Sequence, residues 1–445
     1  QRTWYQSELL INLYSSRYHY VAYNKTWEES LEFALQGYLS PDFKKAKPET
    51  KTDYLYDLGY LYDKVGNSFE GIRFYKKSLD LYIKKYGENS THVALNYNNL
   101  AYAYSNIYDQ RNTIKYYTKA AKIWEGIHQT EADTNDYLIT AYQNLAYQYL
   151  QYGAILEAAA AVKKLNNQYE KKYKTSVNRL NTGYLQATLT YALTNLRLAI
   201  AEKNESAAEY FAKLIEQTKL SGDLYYSWVG YNLQTNQELG QFYYESKNAV
   251  KAKFYLERGK ELAQQQKSNV YFAKFCFKLS QLALRDKKIT TAENYLSQVP
   301  KIDETNNINL INYQVPLLRA NICIDKKEFE TGRNLVKKLL SELNTRLNGS
   351  GHIFKNLRFS DVEDLVDPNS INLFAECGNT FFSLYKATKN KEDLNAAEKL
   401  FRISAKLFKA YYMRGEYNAY VQETHEKISS GLLRIAALPH KNVSK

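Results

Sequence analysis

Three cysteines, Cys276, Cys323 and Cys377, are the side chains of this 445-residue sequence best suited to nucleophilic chemistry. A thiolate nucleophile needs a base beside it, and a metal needs ligands at short spacing. These cysteines lie far apart in apolar stretches. They read as small core residues, with neither a disulfide framework nor a metal set. The run Gly349-Ser350-Gly351-His352 has the composition of an anion-binding loop, but a Gly/Ser connection between helices is the simpler reading. Phosphate-loop, dinucleotide, zinc-protease and nucleophile-elbow motifs are all absent. The carboxylates fall on predicted solvent faces. The sequence therefore predicts no enzyme, no cofactor and no metal.

Charge comes next. Lys and Arg number 60 against 47 Asp and Glu, a formal net charge of +13. Such an excess permits attraction to acidic partners or nucleic acid. The cations are scattered, however, and short clusters such as Lys44-Lys45 and Lys171-Lys172 sit near predicted helix ends, where the macrodipole favours them. No specific nucleic-acid partner is expected. No stretch of 18 or more residues is wholly apolar, so no transmembrane segment is expected. A cytoplasmic location is favoured, although a chain beginning at Gln1 leaves any removed leader unread.

The elements behind these residues are predicted to be helices. Only 18 Gly and 6 Pro are present, too few for the tight turns of a sheet protein of this length. Tyr, at 43 copies, suits half-buried positions between helices, being apolar along the ring and wet at the tip. A triplet of Leu, a small residue and Tyr at i, i+1 and i+4 recurs: Leu58-Gly59-x-x-Tyr62, Leu100-Ala101-x-x-Tyr104, Leu145-Ala146-x-x-Tyr149 and Leu239-Gly240-x-x-Tyr243, with a weaker copy at Leu279-Ser280-x-x-Ala283. Each anchor Leu is followed 13 positions later by a small residue, at Gly71, Thr113, Ala158, Ala252 and Ala292. The triplet lines one stripe of a helix. After a turn at Gly66 or Gly153, a second helix brings its small residue to the closest approach of the two backbones. A hairpin of this kind cannot bury both its faces alone, and stacked copies can.

The stretch "YLYDLGYLYDKVGNSFEGIRFYKKSLDLY" (54–82) resembles the tetratricopeptide repeat in its order of Leu-Gly, Tyr, Gly, small, Tyr and small. Anchor spacings of 42 and 45 residues, and the form "YGENSTHVALNYNNLA", are similar to the long repeats of kinesin light chains. The resemblance implies an all-α fold, a right-handed α-α superhelix of about eight hairpins over residues 50–412. Weaker second helices are expected on Ala207, Phe211 and Leu214, on Gly332 and Val336, and on Ala397 and Phe401. The expected organisation is an N-terminal helical cap (1–49), regular hairpins (50–170), divergent hairpins (171–346), a long loop (347–370), and a degenerate hairpin with a capping helix (371–445).

In this repeat family the first helix of each hairpin lines the concave groove, and the residues flanking the anchor Leu look into it. Carried over, the residues before the anchor are Asp57, Asn99 and Asn144, with Tyr56, Asn98 and Gln143 one position earlier. Two positions after it stand Tyr60, Tyr102 and Tyr147. Amides donate and accept, and Tyr offers rigid contact with a polar tip, a chemistry suited to a protein segment or extended peptide in the groove. The two-Lys, two-Asn carboxylate clamp of the family is not matched.

The C-terminal run from Asp393 to Leu438 is similar to the segment preceding the caspase-like (CHAT) protease domain in bacterial tetratricopeptide–CHAT proteins. That implies a sensing or regulatory array, with a CHAT domain as a further partner. The protease motif itself is absent: no histidine enters a His-Gly after a β-rich run, and Cys377 sits in the helical "FAECGNTFF". A bacterial peptide-pheromone receptor of the quorum-sensing type is the alternative. The long repeat spacing, and the lack of a helix-turn-helix before residue 50, weigh against it.

Overall fold

The computed structural model describes residues 4–24, 26–107, 109–127, 135–173, 182–218, 225–302, 310–348, 368–412 and 419–438. Among the described residues there are α-helices and one short 3-10 turn but no strand. The chain divides into two compact units, residues 1–150 with 154–198, and residues 151–153 with 199–445.

In the first unit lie α1 (Trp4–Asn24), α2 (Trp27–Leu39), α3 (Pro48–Lys64), α4 (Ser68–Tyr86), α5 (Thr91–Asn106), α6 (Gln110–Ile127), α7 (Asn135–Gln151), α8 (Ile155–Tyr173) and most of α9 (Thr182–Ala201). The pair α3 and α4 shows how the sequence builds a hairpin. Pro48 opens α3, where its missing N–H costs nothing. Gly66 takes φ +81°, and the Asn67 N–H returns to the Tyr62 carbonyl at 2.8 Å. Asn67 then caps α4 through the Glu70 N–H at 3.3 Å. Gly59 lies against the Tyr75 ring so closely that a Cβ there would come within 2.7 Å of it. The small residue after the anchor Leu is thus set by backbone approach. Leu58 and Leu100 are fully buried and Leu145 nearly so, in a core that runs from the α1 and α2 pair onward. Within the expected N-terminal cap of 1–49, α1 and α2 pack together, with Thr26 capping the second through the Glu29 N–H.

To the second unit belong α10 (Glu205–Gln217), α11 (Tyr225–Glu245), α12 (Ala249–Gln265), α13 (Asn269–Arg285), α14 (Ile289–Ser297), α15 (Leu310–Asp325), α16 (Phe329–Asn348), α17 (Pro368–Thr388), α18 (Lys391–Tyr412) and α19 (Ala419–Ala436). Its turns differ from those of the first. Lys203, Lys247, Lys267, Lys287, Lys327 and Lys389 take φ between 53° and 64°, the left-handed region. After the first five, the next N–H reaches the carbonyl five residues back, as in Asn248 to Tyr243 at 2.9 Å and Glu328 to Cys323 at 2.7 Å. That bond closes a helix C-terminus and holds the lysine in a conformation L-residues resist.

Eight successive helix pairs, α3/α4 to α17/α18, follow along residues 48–412, with α19 after them. Two details depart from expectation. The buried stripe of α10 is Ala208, Ala212 and Ile215, one position later than the expected Ala207, Phe211 and Leu214. The Asn204 cap on the Ala207 N–H sets that phase, turning residue 207 partly outward. Of the expected loop 347–370, the ends are helix, since α16 runs to Asn348 and α17 starts at Pro368. Residues 349–367, with the Gly-Ser-Gly-His run, lie outside the described residues.

Candidate partner-binding face

The first helices α3, α5 and α7 place the expected groove residues in order. Tyr60, Tyr102 and Tyr147 are 39%, 52% and 37% exposed, unusually open for three large rings at one repeat register. They form an accessible aromatic row. Trp27 meets the Tyr60 ring edge-on at 6.0 Å, and Lys64 stands 5.0 Å from the same ring's centre. Arg197 of α9 stacks its guanidinium 4.8 Å from the centre of Tyr147. These cations raise the positive potential at both ends of the row.

On the same helices as the tyrosines, the amides bond to one another. Asn99 Nδ2 donates to the Tyr56 hydroxyl at 2.6 Å, joining α5 to α3. Asn98 Nδ2 donates to Asn99 Oδ1 at 3.3 Å, and Asn144 Nδ2 donates to Asn98 Oδ1 at 3.2 Å, joining α7 to α5. Gln143 is half-buried on the same helix as Asn144. The ladder spends part of the amide capacity on the fold itself. The Tyr56 O–H and the Asn144 Oδ1 keep hydrogen-bonding capacity. Burial, aided by the negative field of Asp57, pushes the Tyr56 hydroxyl up to about 12, so it stays a neutral donor at physiological pH.

Asp57, the equivalent of Asn99 and Asn144 in the first hairpin, is engaged from α1. Tyr18 donates its hydroxyl to Asp57 Oδ2, and His19 Nε2 lies 3.4 Å from the same oxygen. The hydrogen bond to Asp57 raises the pKa of His19 above its ordinary value, against the opposing effect of burial. Helix α1 thus holds Asp57 at the position where α5 and α7 carry Asn99 and Asn144.

Sequence reasoning missed Trp27, Lys64 and Arg197. A signal for Arg197 was present: counting 13 back from the buried Ala208 gives Asn195 as anchor, and Arg197 then falls at the register of the three tyrosines. The off-by-one reading of α10 concealed it.

None of the cysteines has the surroundings of a nucleophile. Cys276 and Cys377 are fully buried, and burial pushes the Cys276 thiol up to about 11 and that of Cys377 far above its ordinary value. Burial likewise raises Cys323. A raised thiol is the opposite of what an activated thiolate requires. Among the described residues no group of three or more His, Cys, Asp or Glu could hold a metal, and no helix is long and apolar enough to cross a membrane.

This hairpin geometry defines an all-α repeat array of the tetratricopeptide type. Among solved structures, the chain is similar to the apo form of the quorum sensor NprR from B. thuringiensis, at 15% identity over 90% of this chain and 88% of that one, with a TM-score of 0.51. It also matches NprR in complex with its cognate peptide NprX, at 15% identity over 76% and 88% of the two chains and a TM-score of 0.40. A tetratricopeptide repeat protein from Parabacteroides merdae matches at 14% identity over 65% and 91%, with a TM-score of 0.40. At these identities the likeness is one of fold. No family profile matches the chain, and no curated protein matches it.

Proposed function

We propose that this chain is a non-catalytic scaffold that holds an extended peptide, or an extended segment of a protein, on the first-helix face of its first unit. One observation carries the reading. Three exposed tyrosines repeat at one register on successive first helices, which a ladder of amides also links to one another. Rigid aromatics over hydrogen-bonding groups are the usual anchors of a binding surface. Tyr60, Tyr102 and Tyr147 would supply contact area, while Tyr56 and Asn144 would bond the backbone. Asn98, Asn99 and Gln143 would hold these groups in place.

A second reading makes the ligand a signalling peptide. It rests on likeness of fold, along nine-tenths of this chain, to a protein described as a quorum sensor, and fold likeness alone does not carry function. The reading as the array of a tetratricopeptide–CHAT protein, with that protease domain as partner, rests on the resemblance of the C-terminal run only.

The test is a display library of extended peptides screened on the full chain, with hits titrated against Tyr60→Ala, Tyr102→Ala and Tyr147→Ala. Each substitution should weaken binding by about tenfold or more, an effect on the order of 2 kcal/mol. Hits that keep their affinity in the triple variant, and lose it with added salt, would replace this reading with electrostatic attraction to scattered lysines.

A further inference from the structure

The charge of the first unit is spread unevenly over its helices. The second helices α4, α6 and α8 carry 13 Lys and Arg against 5 Asp and Glu. The first helices α3, α5 and α7 carry 2 against 5. In the second unit, α10, α12 and α14 carry 5 against 6. Most of the formal net charge of +13 therefore gathers on one kind of helix in one unit.

Helix periodicity puts that charge on one side. Opposite the buried stripe of α4 stand Phe69, Arg73, Lys76, Asp80 and Lys84, all exposed. The matching rows include Arg111, Lys115 and Lys122 on α6, and Leu156, Lys163 and Lys171 on α8, again all exposed. The three helices are neighbours. Lys164 of α8 pairs with Glu125 of α6 at 2.8 Å, while Lys76 of α4 stands 5.5 Å from the Tyr104 ring, which stacks on Tyr116 of α6.

Few carboxylates answer these cations. Glu70 pairs with Arg73 at 3.2 Å and Glu125 with Lys164. Asp80, Glu157 and Glu170 are exposed on the same helices, Asp109 caps α6, and Glu88 lies in the turn after α4. Among the described residues, no carboxylate pairs with Lys76, Lys84, Lys115, Lys122, Lys163 or Lys171. The macrodipole accounts for Lys84 and Lys171 near helix ends, but not for Arg73, Lys76, Lys115 and Lys163. Two large apolar side chains stand in the same rows. Phe69 is 69% exposed and Leu156 85% exposed, each the second residue of its helix.

We infer that this face of the first unit docks on a bilayer rich in anionic phospholipid. Its cations meet headgroup phosphates, while Phe69 and Leu156 enter the boundary between headgroups and acyl chains. The protein lies on the surface, since none of its described helices can cross a membrane. A single-stranded nucleic acid would seek open aromatic faces. Here Tyr104 and Tyr116, beneath the lysines, are covered and already stacked on each other, and Leu156 gives a base nothing to stack on. The face shares no residue with the tyrosine row and stands whether or not that row binds peptide.

Co-sedimentation of the full chain with vesicles tests it, using phosphatidylcholine alone and phosphatidylcholine with about 30% phosphatidylserine. The protein should pellet with the anionic vesicles and stay in solution with the neutral ones. Lys115→Glu with Lys163→Glu should weaken that binding by about tenfold or more. Lys213→Glu with Lys253→Glu, at exposed lysines of α10 and α12, changes the net charge equally and should shift it by less than about twofold. Leu156→Ser should weaken it by roughly threefold or more. If the Lys115 and Lys163 pair of changes lowers the melting temperature, Arg111→Glu with Lys171→Glu replaces it. No pelleting with anionic vesicles, equal loss in the two lysine pairs, or indifference to Leu156→Ser overturns the assignment. A single-stranded oligonucleotide that strips the protein from the vesicles at equal phosphate concentration would instead give this face to nucleic acid.

Discussion

Arg333 of α16 and Asp393 of α18 form a buried, two-pronged ion pair: Nε to Oδ1 and Nη2 to Oδ2, both at 2.8 Å. Their side chains are only 7% and 1% exposed. Asp393 is also the third residue of α18, after the Asn390 cap on the Glu392 N–H, so the same carboxylate sits at the positive end of a helix. Desolvating two charges offsets much of their attraction, whereas removing Asp393 leaves the buried Arg333 only the exposed Glu330 as a partner. Asp393→Ala should therefore cost about 3–5 kcal/mol in urea denaturation, while Arg333→Met with Asp393→Leu should cost much less than the two single changes together. A double variant as unstable as that sum would refute this account.

Asp63, at the end of α3, should make stability depend on pH in an unusual direction. Its carboxylate oxygens are buried without a well-formed hydrogen bond, and burial pushes its pKa from the usual 3.8 to about 6. A folded-state value above the unfolded one means that folding favours the proton. The penalty is absent below about pH 4, grows as pH rises through that window and is complete above about pH 6. Asp63→Asn should stabilise the protein by roughly 1–2 kcal/mol at pH 7 and have little effect at pH 4. Melting temperatures across that range decide it.

The lysine turns should be improvable. Lys267 and Lys287 sit at φ 53° and 57°, a region that glycine occupies without a side-chain clash. Replacing either with glycine removes about 1–2 kcal/mol of strain and returns part of it as entropy of the unfolded chain. A net gain of roughly 0.5–1 kcal/mol per site is expected. A loss of stability at both sites would show that the lysine side chains make compensating contacts.

Asn99 should matter to the fold as well as to a partner. Asn99→Ala leaves the Tyr56 hydroxyl and the Asn98 amide each short of a partner, which should destabilise the first unit by about 1–3 kcal/mol. Tyr102→Ala, whose ring is half exposed, should cost under about 0.5 kcal/mol. Chemical denaturation of the two variants separates a structural amide from a binding aromatic.

Thiol reactivity should follow burial. Cys276 and Cys377 are closed off, while Cys323 is only partly covered. In the native protein at pH 8, a chromogenic thiol reagent should label Cys323 first and the other two only on unfolding. Cys377→Ala should leave any peptidase activity of a preparation unchanged.

The sequence by itself determined the helices, their pairing and the phase of the clearest hairpins. Leu58, Leu100 and Leu145, with a small residue 13 positions on, encode local geometry: helix periodicity and the closest approach of two backbones. Those constraints act within one hairpin, so one chain segment suffices to read them. Where the local signal was weak, as in α10, the cap at Asn204 fixed the phase and the reading slipped by one residue. What an amide does at the groove register was beyond reach from residue type. Asn98, Asn99 and Asn144 can face a ligand or each other, and the choice depends on distances between helices more than 40 residues apart in sequence. Tertiary packing brought them within hydrogen-bond reach, assigned Asp57 to Tyr18 and His19, and left the three tyrosines exposed.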